Sequence, residues 1–247
     1  MKMKSKLFIL MAALVSAFTL SSCLGESESY DYPSHEAVVT VGADAKKLYS
    51  DGGQILKPVN TITGLEKVER AVVAFNLIPS ELNGATLEPG MTYDVELDAN
   101  YSYKIPTSPV IDLYDNSVAA DSLINSQQPF VKVSNLYVKN GYLTAALAFT
   151  ASQYAPYYVD MAFDSEKDVD LSTNTITLTL YYDCKTNTAV NMQVNYPFSF
   201  RLPSGLYNRF PNASTINVVL KYMVDLGGET NELTCTMKPE DFFLSSY

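Results

Sequence analysis

The stretch Ile176-Thr177-Leu178-Thr179-Leu180-Tyr181-Tyr182-Asp183-Cys184 places apolar, aromatic or thiol side chains at every even position. Successive side chains of a β-strand point to opposite faces, so this period of two predicts a strand whose even residues lie in a core. The same period continues through most of the chain after Ala37, and a sustained helical period is rare. The sequence therefore predicts an all-β protein.

Turn residues mark the predicted hairpins. Asn140-Gly141 is the strongest type of short hairpin signal, and Asp51-Gly52-Gly53 and Gly227-Gly228 are further turn sequences. A single short helix is predicted at Val118–Asn125. The strand pairs predicted to form hairpins are Leu48-Tyr49 with Ile55–Val59, Leu136–Val138 with Tyr142–Phe149, Ile176–Tyr182 with Val190–Tyr196, and Ile216–Val224 with Glu232–Met237.

The chain divides best at Pro106-Thr107-Ser108-Pro109, which has about five predicted strands before it and seven or eight after it. Five strands suit a small barrel, and the longer set suits a two-layer antiparallel β-sandwich. We therefore predict four segments. They are a lipoprotein signal peptide at 1–22, a flexible acidic tether at 23–35, a barrel domain at 36–107 and a sandwich domain at 108–247.

The first residues are typical of an export signal. Three lysines precede the apolar run Leu7–Leu20, which is too short to span a bilayer. Leu20-Ser21-Ser22-Cys23 resembles the lipobox of bacterial lipoproteins, which predicts that Cys23 is the lipidated first residue of the mature chain. The alternative is an ordinary signal peptide with a chance cysteine. Two or three acyl chains would hold the protein firmly at a membrane, and we expect the outer membrane, at the cell surface or otherwise on the periplasmic face.

Charge limits the choice of partners. Removing residues 1–22 leaves 14 basic and 27 acidic residues, a formal charge of −13. Such a chain is a poor match for nucleic acid, because phosphate binding depends on Lys and Arg. We expect membrane association through the N-terminal lipid alone, and a protein or a glycan as the partner.

The inventory of reactive side chains argues against catalysis. His35 is the only histidine and is assigned to the tether, which disfavours Ser-His-Asp and Cys-His machinery as well as zinc or copper sites. We predict no catalytic residues, no metal and no cofactor. Asp164, Glu166, Asp168 and Asp170 alternate and could form a calcium site or a glycosidase pair, but a solvated acidic loop is the favoured interpretation because no EF-hand spacing is present.

Cysteines and tyrosines supply the remaining candidates. Alternation places Cys184 and Cys235 on apolar faces of separate strands, so they form either a disulfide or two buried free thiols. The chain has 18 tyrosines and no tryptophan. Most suit half-buried strand positions. Tyr158 and Tyr181 are predicted to point outward, and they are the candidates for ligand contact.

A family resemblance rests on three segments in order. Leu48-Tyr49-Ser50-Asp51-Gly52-Gly53-Gln54-Ile55-Leu56-Lys57-Pro58-Val59 is followed by Arg70-Ala71-Val72-Val73-Ala74-Phe75-Asn76 and by Tyr93-Asp94-Val95-Glu96-Leu97. This order resembles the NigD-like lipoproteins of Bacteroidota over Lys47–Ser126. The resemblance implies an N-terminal OB-like barrel followed by a C-terminal β-sandwich, and it supplies no catalytic residue. Separately, Asp121-Ser122-Leu123 resembles the O-glycosylation sites of Bacteroidota, which makes Ser122 a candidate for modification.

Three classes of function follow from these observations. The first is a non-enzymatic lipoprotein of the cell envelope, a surface-exposed binding or accessory module. The second is a bacteriocin-associated or immunity lipoprotein, which rests on the family name alone. The third is a glycan hydrolase that uses carboxylates only, which would need two carboxyl groups roughly 5–10 Å apart across a cleft.

Overall fold

The computed structural model of the chain describes residues 32–114, 116–125, 127–152, 155–184 and 191–242. The predicted signal peptide, Cys23 and residues 24–31 of the predicted tether lie outside these ranges. The described residues from Pro33 onward form one compact unit. No helix within the described ranges is long and apolar enough to cross a bilayer. Strands dominate these ranges, which confirms the predicted all-β class.

The first five strands close a barrel. They are β1 (His35–Val41), β2 (Leu48–Ser50), β3 (Ile55–Pro58), β4 (Arg70–Leu77) and β5 (Thr92–Lys104). Their order around the barrel is β1-β2-β3-β5-β4, and β1 closes it by pairing with β4. The β3–β5 pair is parallel and the other pairs are antiparallel. The predicted OB-like small barrel is therefore present.

The remaining strands form two sheets. A four-stranded sheet has the order β6-β13-β9-β8, and a six-stranded sheet has the order β15-β14-β12-β10-β7, with β11 paired to β12. The two short strands before the α-helix are β6 (Thr107–Pro109) and β7 (Ile111–Asp112), and the helix itself is α1 (Ser117–Asn125). The strands after it are β8 (Lys132–Lys139), β9 (Tyr142–Ser152), β10 (Tyr157–Phe163), β11 (Val169–Asp170), β12 (Thr175–Cys184), β13 (Asn191–Arg201), β14 (Ile216–Met223) and β15 (Thr230–Met237). Four short 3-10 helices span Leu65–Lys67, Ser80–Leu82, Tyr207–Arg209 and Pro239–Phe242.

Each half of the molecule has its own apolar core. In β12 the even residues Ile176, Leu178, Leu180, Tyr182 and Cys184 are buried between the two sheets, as their alternation predicts. Aromatic rings extend this core, and the ring centroids of Phe149 and Tyr182 are 4.4 Å apart. The barrel has a separate core that includes Leu48, Leu56, Val73, Phe75 and Val95.

Three of the four predicted hairpins are confirmed by the pairing of β2 with β3, β8 with β9, and β14 with β15. The fourth is wrong. β12 pairs with β10 and β14, whereas β13 pairs with β9 in the other sheet. β12 and β13 therefore lie in different sheets. Their apolar faces pack against each other across the core, and the two strands are not neighbours within one sheet.

Two predicted boundaries also need correction. His35 was assigned to the tether, but it is the first residue of β1 and pairs with Phe75. Its ring stacks on the Phe75 ring at 5.4 Å, and its Nε2 lies 3.0 Å from the Ala85 carbonyl oxygen. Thr107, placed at the end of the barrel domain, begins β6 and pairs with Ser199 of the sandwich. His35 and Thr107 are polar, so the alternation of apolar residues does not reveal where these two strands begin.

One buried guanidinium connects the barrel to the four-stranded sheet. Arg70 of β4 is completely buried. Its side chain donates to both oxygens of Asp51, at 2.7 and 2.5 Å, and to Thr40 at 2.8 Å. On the sandwich side it donates to Thr144 at 3.3 Å and to Ser199 at 3.4 Å. These bonds use all five N–H donors of the guanidinium.

Asp51 receives further bonds from the sandwich. The Tyr137 hydroxyl donates to Asp51 Oδ2 at 2.9 Å, and Asn140 Nδ2 lies 3.2 Å from Oδ1. Burial, together with the Asp51 charge, raises the pKa of Tyr137, so this hydroxyl stays protonated and able to donate. The Asn140-Gly141 turn, with φ of 52° and 80°, presents the amide from the tip of the β8–β9 hairpin. The carboxylate is therefore held from both halves of the molecule.

We predict that Asp51→Asn lowers the free energy of unfolding by about 3–5 kcal/mol, because it leaves the buried Arg70 charge without its counter-ion. Urea denaturation of the chain expressed without residues 1–23 and followed by circular dichroism measures this change. Asp94→Asn, on the exposed outer face of the barrel, is the matched control and should change stability by less than about 0.5 kcal/mol. Equal unfolding midpoints for the two variants would contradict the role given to Asp51.

Candidate functional site

The two tyrosines singled out as ligand contacts lie on neighbouring strands of the six-stranded sheet. In the antiparallel pair of β10 and β12, Tyr158 is opposite Asp183 and Asp160 is opposite Tyr181. Cβ atoms directly opposite one another in such a pair are about 4.5–5.5 Å apart. The four side chains therefore form one compact group, which we call the Tyr–Asp cluster.

The alternation of both strands fixes the direction of these side chains. Tyr157, Val159 and Met161 of β10 pack against the core, so Tyr158 and Asp160 point to the outer face. Tyr158 is 54% exposed. Tyr181 and Asp183 alternate with the buried Tyr182 and are partly exposed. Sequence reasoning selected the two tyrosines but missed the two carboxylates, although Asp160 and Asp183 stand two residues from them on the same strands.

Burial changes the acid–base properties of the cluster. It raises the pKa of the Asp160 carboxyl, and it raises the pKa of Tyr181, to which the charge of Asp168 also contributes. Among the described residues neither Asp160 nor Asp183 forms an ion pair. A partly desolvated carboxylate without a cation is a site where a positive ligand gains favourable energy.

The rest of this outer face is polar and carries few charges. Lys221 of β14 is the only cation that the described strand residues present there, and its Nζ lies 3.4 Å from Glu232 Oε1 on β15. Helix α1 contacts β12. Threonine is the commonest side chain along the outward positions of β12 and β15: Thr175, Thr177, Thr179, Thr230, Thr234 and Thr236.

The cysteines are free thiols and do not form the disulfide considered above. Cys235 aligns with Val218, and Val218 aligns with Ile176 on β12. Cys184 is eight residues further along β12, a distance of about 26 Å at 3.3 Å per residue, so a disulfide between the two is sterically excluded. Burial raises the pKa of the Cys235 thiol to about 11.

The other sequence candidates are dispersed. Ser122 lies on the exposed side of α1. In the acidic loop, Lys167 pairs with Asp164, and Arg209 binds Glu166 and the Ser165 carbonyl oxygen. Those carboxylates are held within the loop by cations of the chain itself. The described residues contain no group of three or more His, Cys, Asp or Glu side chains placed to hold a metal ion.

Part of the barrel surface, at the β2–β3 hairpin, is in contact with the sandwich and is less accessible to a ligand than in an isolated barrel. OB-folds bind oligonucleotides and oligosaccharides on the face of strands 2 and 3. Here the sandwich approaches that hairpin, since Asn140 Nδ2 lies 3.4 Å from the Tyr49 carbonyl oxygen and Tyr137 reaches Asp51 beyond the end of β2. The outer face of the six-stranded sheet is therefore the better candidate surface.

Comparison with known proteins gives a fold relationship. No protein-family model matches the chain, and no curated protein matches it. A solved structure from Parabacteroides distasonis, provisionally described as toxin related, has a TM-score of 0.60 at 17% identity and covers 84% of this chain and 94% of its own. A NigD-like immunity protein from Bacteroides caccae has a TM-score of 0.50 at 18% identity, with 83% and 96% covered.

The chain has the fold of a NigD-like immunity protein. The resemblance to NigD-like lipoproteins expected from the segments between Leu48 and Leu97 is thus confirmed at the level of the fold. A protein from Bacteroides fragilis, provisionally described as a lipoprotein, has a TM-score of 0.52 at 10% identity and covers 83% of this chain and 97% of its own. All three superpositions extend over the barrel and the sandwich together.

We predict that both Cys184 and Cys235 of the unlipidated Cys23→Ser chain remain unmodified by iodoacetamide at pH 8 in the native state and react fully in urea. Cys184 is buried and out of reach of the reagent, and the Cys235 thiol, whose pKa burial raises to about 11, is almost entirely protonated at pH 8, whereas only a thiolate reacts. Mass spectrometry without reductant counts the modified thiols. A protein mass lower by two hydrogens before labelling, which is the signature of a disulfide, would contradict the register of β12, β14 and β15.

Proposed function

We propose that the chain is a non-enzymatic lipoprotein of the cell envelope, anchored in the outer membrane through Cys23, that binds a partner on the outer face of its six-stranded sheet. The observation that carries this proposal is the Tyr–Asp cluster, where Tyr158 is more than half exposed and neither carboxylate has an ion-pair partner among the described residues. Aromatic side chains with nearby unpaired polar groups are typical of recognition surfaces.

Anchoring is supported by the order of the N-terminal signals, which place a lipobox-like Leu20-Ser21-Ser22-Cys23 directly after the apolar run. A fold shared with a protein described as a lipoprotein is consistent with this assignment. The formal charge of −13 on the mature chain opposes adhesion to anionic head groups, so the lipid would supply the membrane affinity. Exposure at the cell surface, instead of on the periplasmic face, is part of the proposal.

The non-enzymatic assignment is supported by the position of the reactive groups. His35, the only histidine, is engaged with Phe75 and Ala85 in the barrel. A carboxylate-dependent hydrolase would need two carboxyl groups facing each other across a cleft. Asp160 and Asp183 instead point in the same direction from one open sheet face, which favours binding over hydrolysis.

An immunity role is the second candidate. It is favoured by one observation, the fold shared with a NigD-like immunity protein over 83% of this chain. An immunity protein acts by binding a specific toxin or its target, so the same outer face would serve. The two candidates differ in the partner and not in the type of site.

We predict that Cys23→Ser, in a chain whose residues 1–22 are replaced by an ordinary cleavable signal peptide, moves the protein from the membrane fraction to the soluble fraction of cells, because neither acyl groups nor the apolar run Leu7–Leu20 then remain to hold it. Immunoblotting of the two fractions measures the change. Cys184→Ser is the matched control and should stay with the membrane. Retention of the Cys23→Ser chain in the membrane fraction would disprove lipid anchoring at this residue.

Surface exposure is measured separately, by adding a protease to intact cells that carry the wild-type chain. We expect the chain to be degraded while a periplasmic marker protein remains intact. Protection of the chain in intact cells, followed by cleavage after lysis, would place it on the periplasmic face instead.

A further inference from the structure

We infer that the Tyr–Asp cluster binds arginine side chains of a basic peptide segment in a partner protein. This inference rests on the proposed binding function and specifies the chemistry of the partner. It is carried by the arrangement of rings and carboxylates on β10 and β12 together with the charge balance of the surrounding face.

The arrangement suits a guanidinium. Tyr158 has Asp183 opposite it and Asp160 two residues along its own strand, and Tyr181 has the same two neighbours in the reverse order. Every ring therefore lies beside two carboxylates. A guanidinium is planar, stacks on aromatic faces and donates two parallel hydrogen bonds to a carboxylate, so it can satisfy both kinds of neighbour at once.

The spacing suits an extended peptide. Asp160 and Asp183 are diagonal neighbours, which in an antiparallel pair lie about 7–8 Å apart. Side chains two residues apart on an extended strand are separated by about 6.7 Å and lie on the same side. Two arginines separated by one residue would therefore reach the two carboxylates from one face of the peptide.

The local charge balance favours a cation over a neutral ligand. Lys221, the only cation among the described strand residues of this face, already pairs with Glu232. Among the described residues no cation pairs with Asp160 or Asp183, and the mature chain is strongly acidic overall. Burial raises the pKa of Asp160, and a cation placed beside it would favour its charged form. A neutral glycan can donate hydroxyl hydrogen bonds to these carboxylates, but it does not compensate their charge.

The barrel offers a contrasting acidic surface. Asp94 and Glu96 point outward from β5, but Asp94 has Lys57 as its registered neighbour and Glu96 has Asn76. Neither carboxylate has a tyrosine as its registered neighbour. Neutralising these two residues removes the same number of charges from the chain as neutralising the cluster, which makes them a matched control.

The test titrates a synthetic five-residue peptide, two arginines alternating with three serines and blocked at both ends, into the mature chain carrying Cys23→Ser. Isothermal calorimetry at low ionic strength measures the affinity. We expect binding to the unchanged cluster, a loss of about three- to tenfold in affinity for Asp160→Asn/Asp183→Asn, and a change of less than about twofold for Asp94→Asn/Glu96→Gln. The peptide in which citrulline replaces arginine should not bind, and added salt should weaken the arginine peptide.

Three outcomes would overturn the inference. Equal weakening by the two double variants would mean that only the overall charge attracts the peptide. Binding of a neutral oligosaccharide such as cellohexaose, lost in Tyr158→Ala but retained in Asp160→Asn/Asp183→Asn, would make the face a glycan site. No binding of the arginine peptide by the unsubstituted cluster would also refute it. Circular dichroism of each variant confirms that it is folded, and the Cys23 fractionation decides the anchoring separately.

Discussion

A guanidinium that is closed off from solvent must find every hydrogen-bond partner inside the protein, since an unpaired buried charge is far more costly than the pair it could have formed. Arg70 meets this requirement with partners from both halves of the molecule: Asp51 and Thr40 in the barrel, Thr144 and Ser199 in the sandwich. The two halves are therefore not independent modules joined by a linker. The barrel can satisfy its own buried charge completely only in the presence of the four-stranded sheet.

This constraint also determines which surfaces are available to a partner. The β2–β3 hairpin, which carries Asp51 at its tip, is engaged by Tyr137 and Asn140. The four-stranded sheet contributes Thr144 and Ser199 from its outward side, so part of that side faces the barrel. At the Tyr–Asp cluster of the six-stranded sheet, where outward aromatic rings and carboxylates meet, no hydrogen bond or ion pair between described residues reaches the barrel, and helix α1 contacts β12. Because the four-stranded sheet contacts the barrel, the proposed recognition surface lies on the six-stranded sheet.

Alternation along the chain predicts much of this fold, because burial of one strand face is a local property of sequence. It gives the strand at Ile176–Cys184, the barrel followed by the sandwich, and three hairpins with their turns. It fails for the connection after Cys184, since the period of two is the same whichever sheet a strand joins. It also misses the start of β1, where His35 obtains its apolar contact from Phe75, which is distant in sequence.

The candidate site could also be predicted only in part from the sequence. The outward direction of Tyr158 and Tyr181 can be predicted from the strands that carry them, but their proximity depends on the pairing of β10 with β12, which no local signal specifies. The two cysteines have similar local sequence patterns but lie far apart in the fold. Both have apolar neighbours in sequence, yet the register of β14 separates them by most of the length of a strand. The local sequence pattern predicts which face of a sheet a side chain lies on. Its neighbours on that face depend on which strands pair and in which register.

The turn at Asn140-Gly141 has a consequence for how this sequence can vary over evolutionary time. A two-residue hairpin turn with positive φ at both positions accepts Asn-Gly, Asp-Gly or Gly-Gly. At this turn the Asn140 amide also bonds the Asp51 carboxylate, so Asp would bring two negative charges together and Gly would remove the donor. Asp51 cannot change in compensation, because it is also the counter-ion of the buried Arg70, so residue 140 should remain Asn wherever Asp51 and Arg70 are retained.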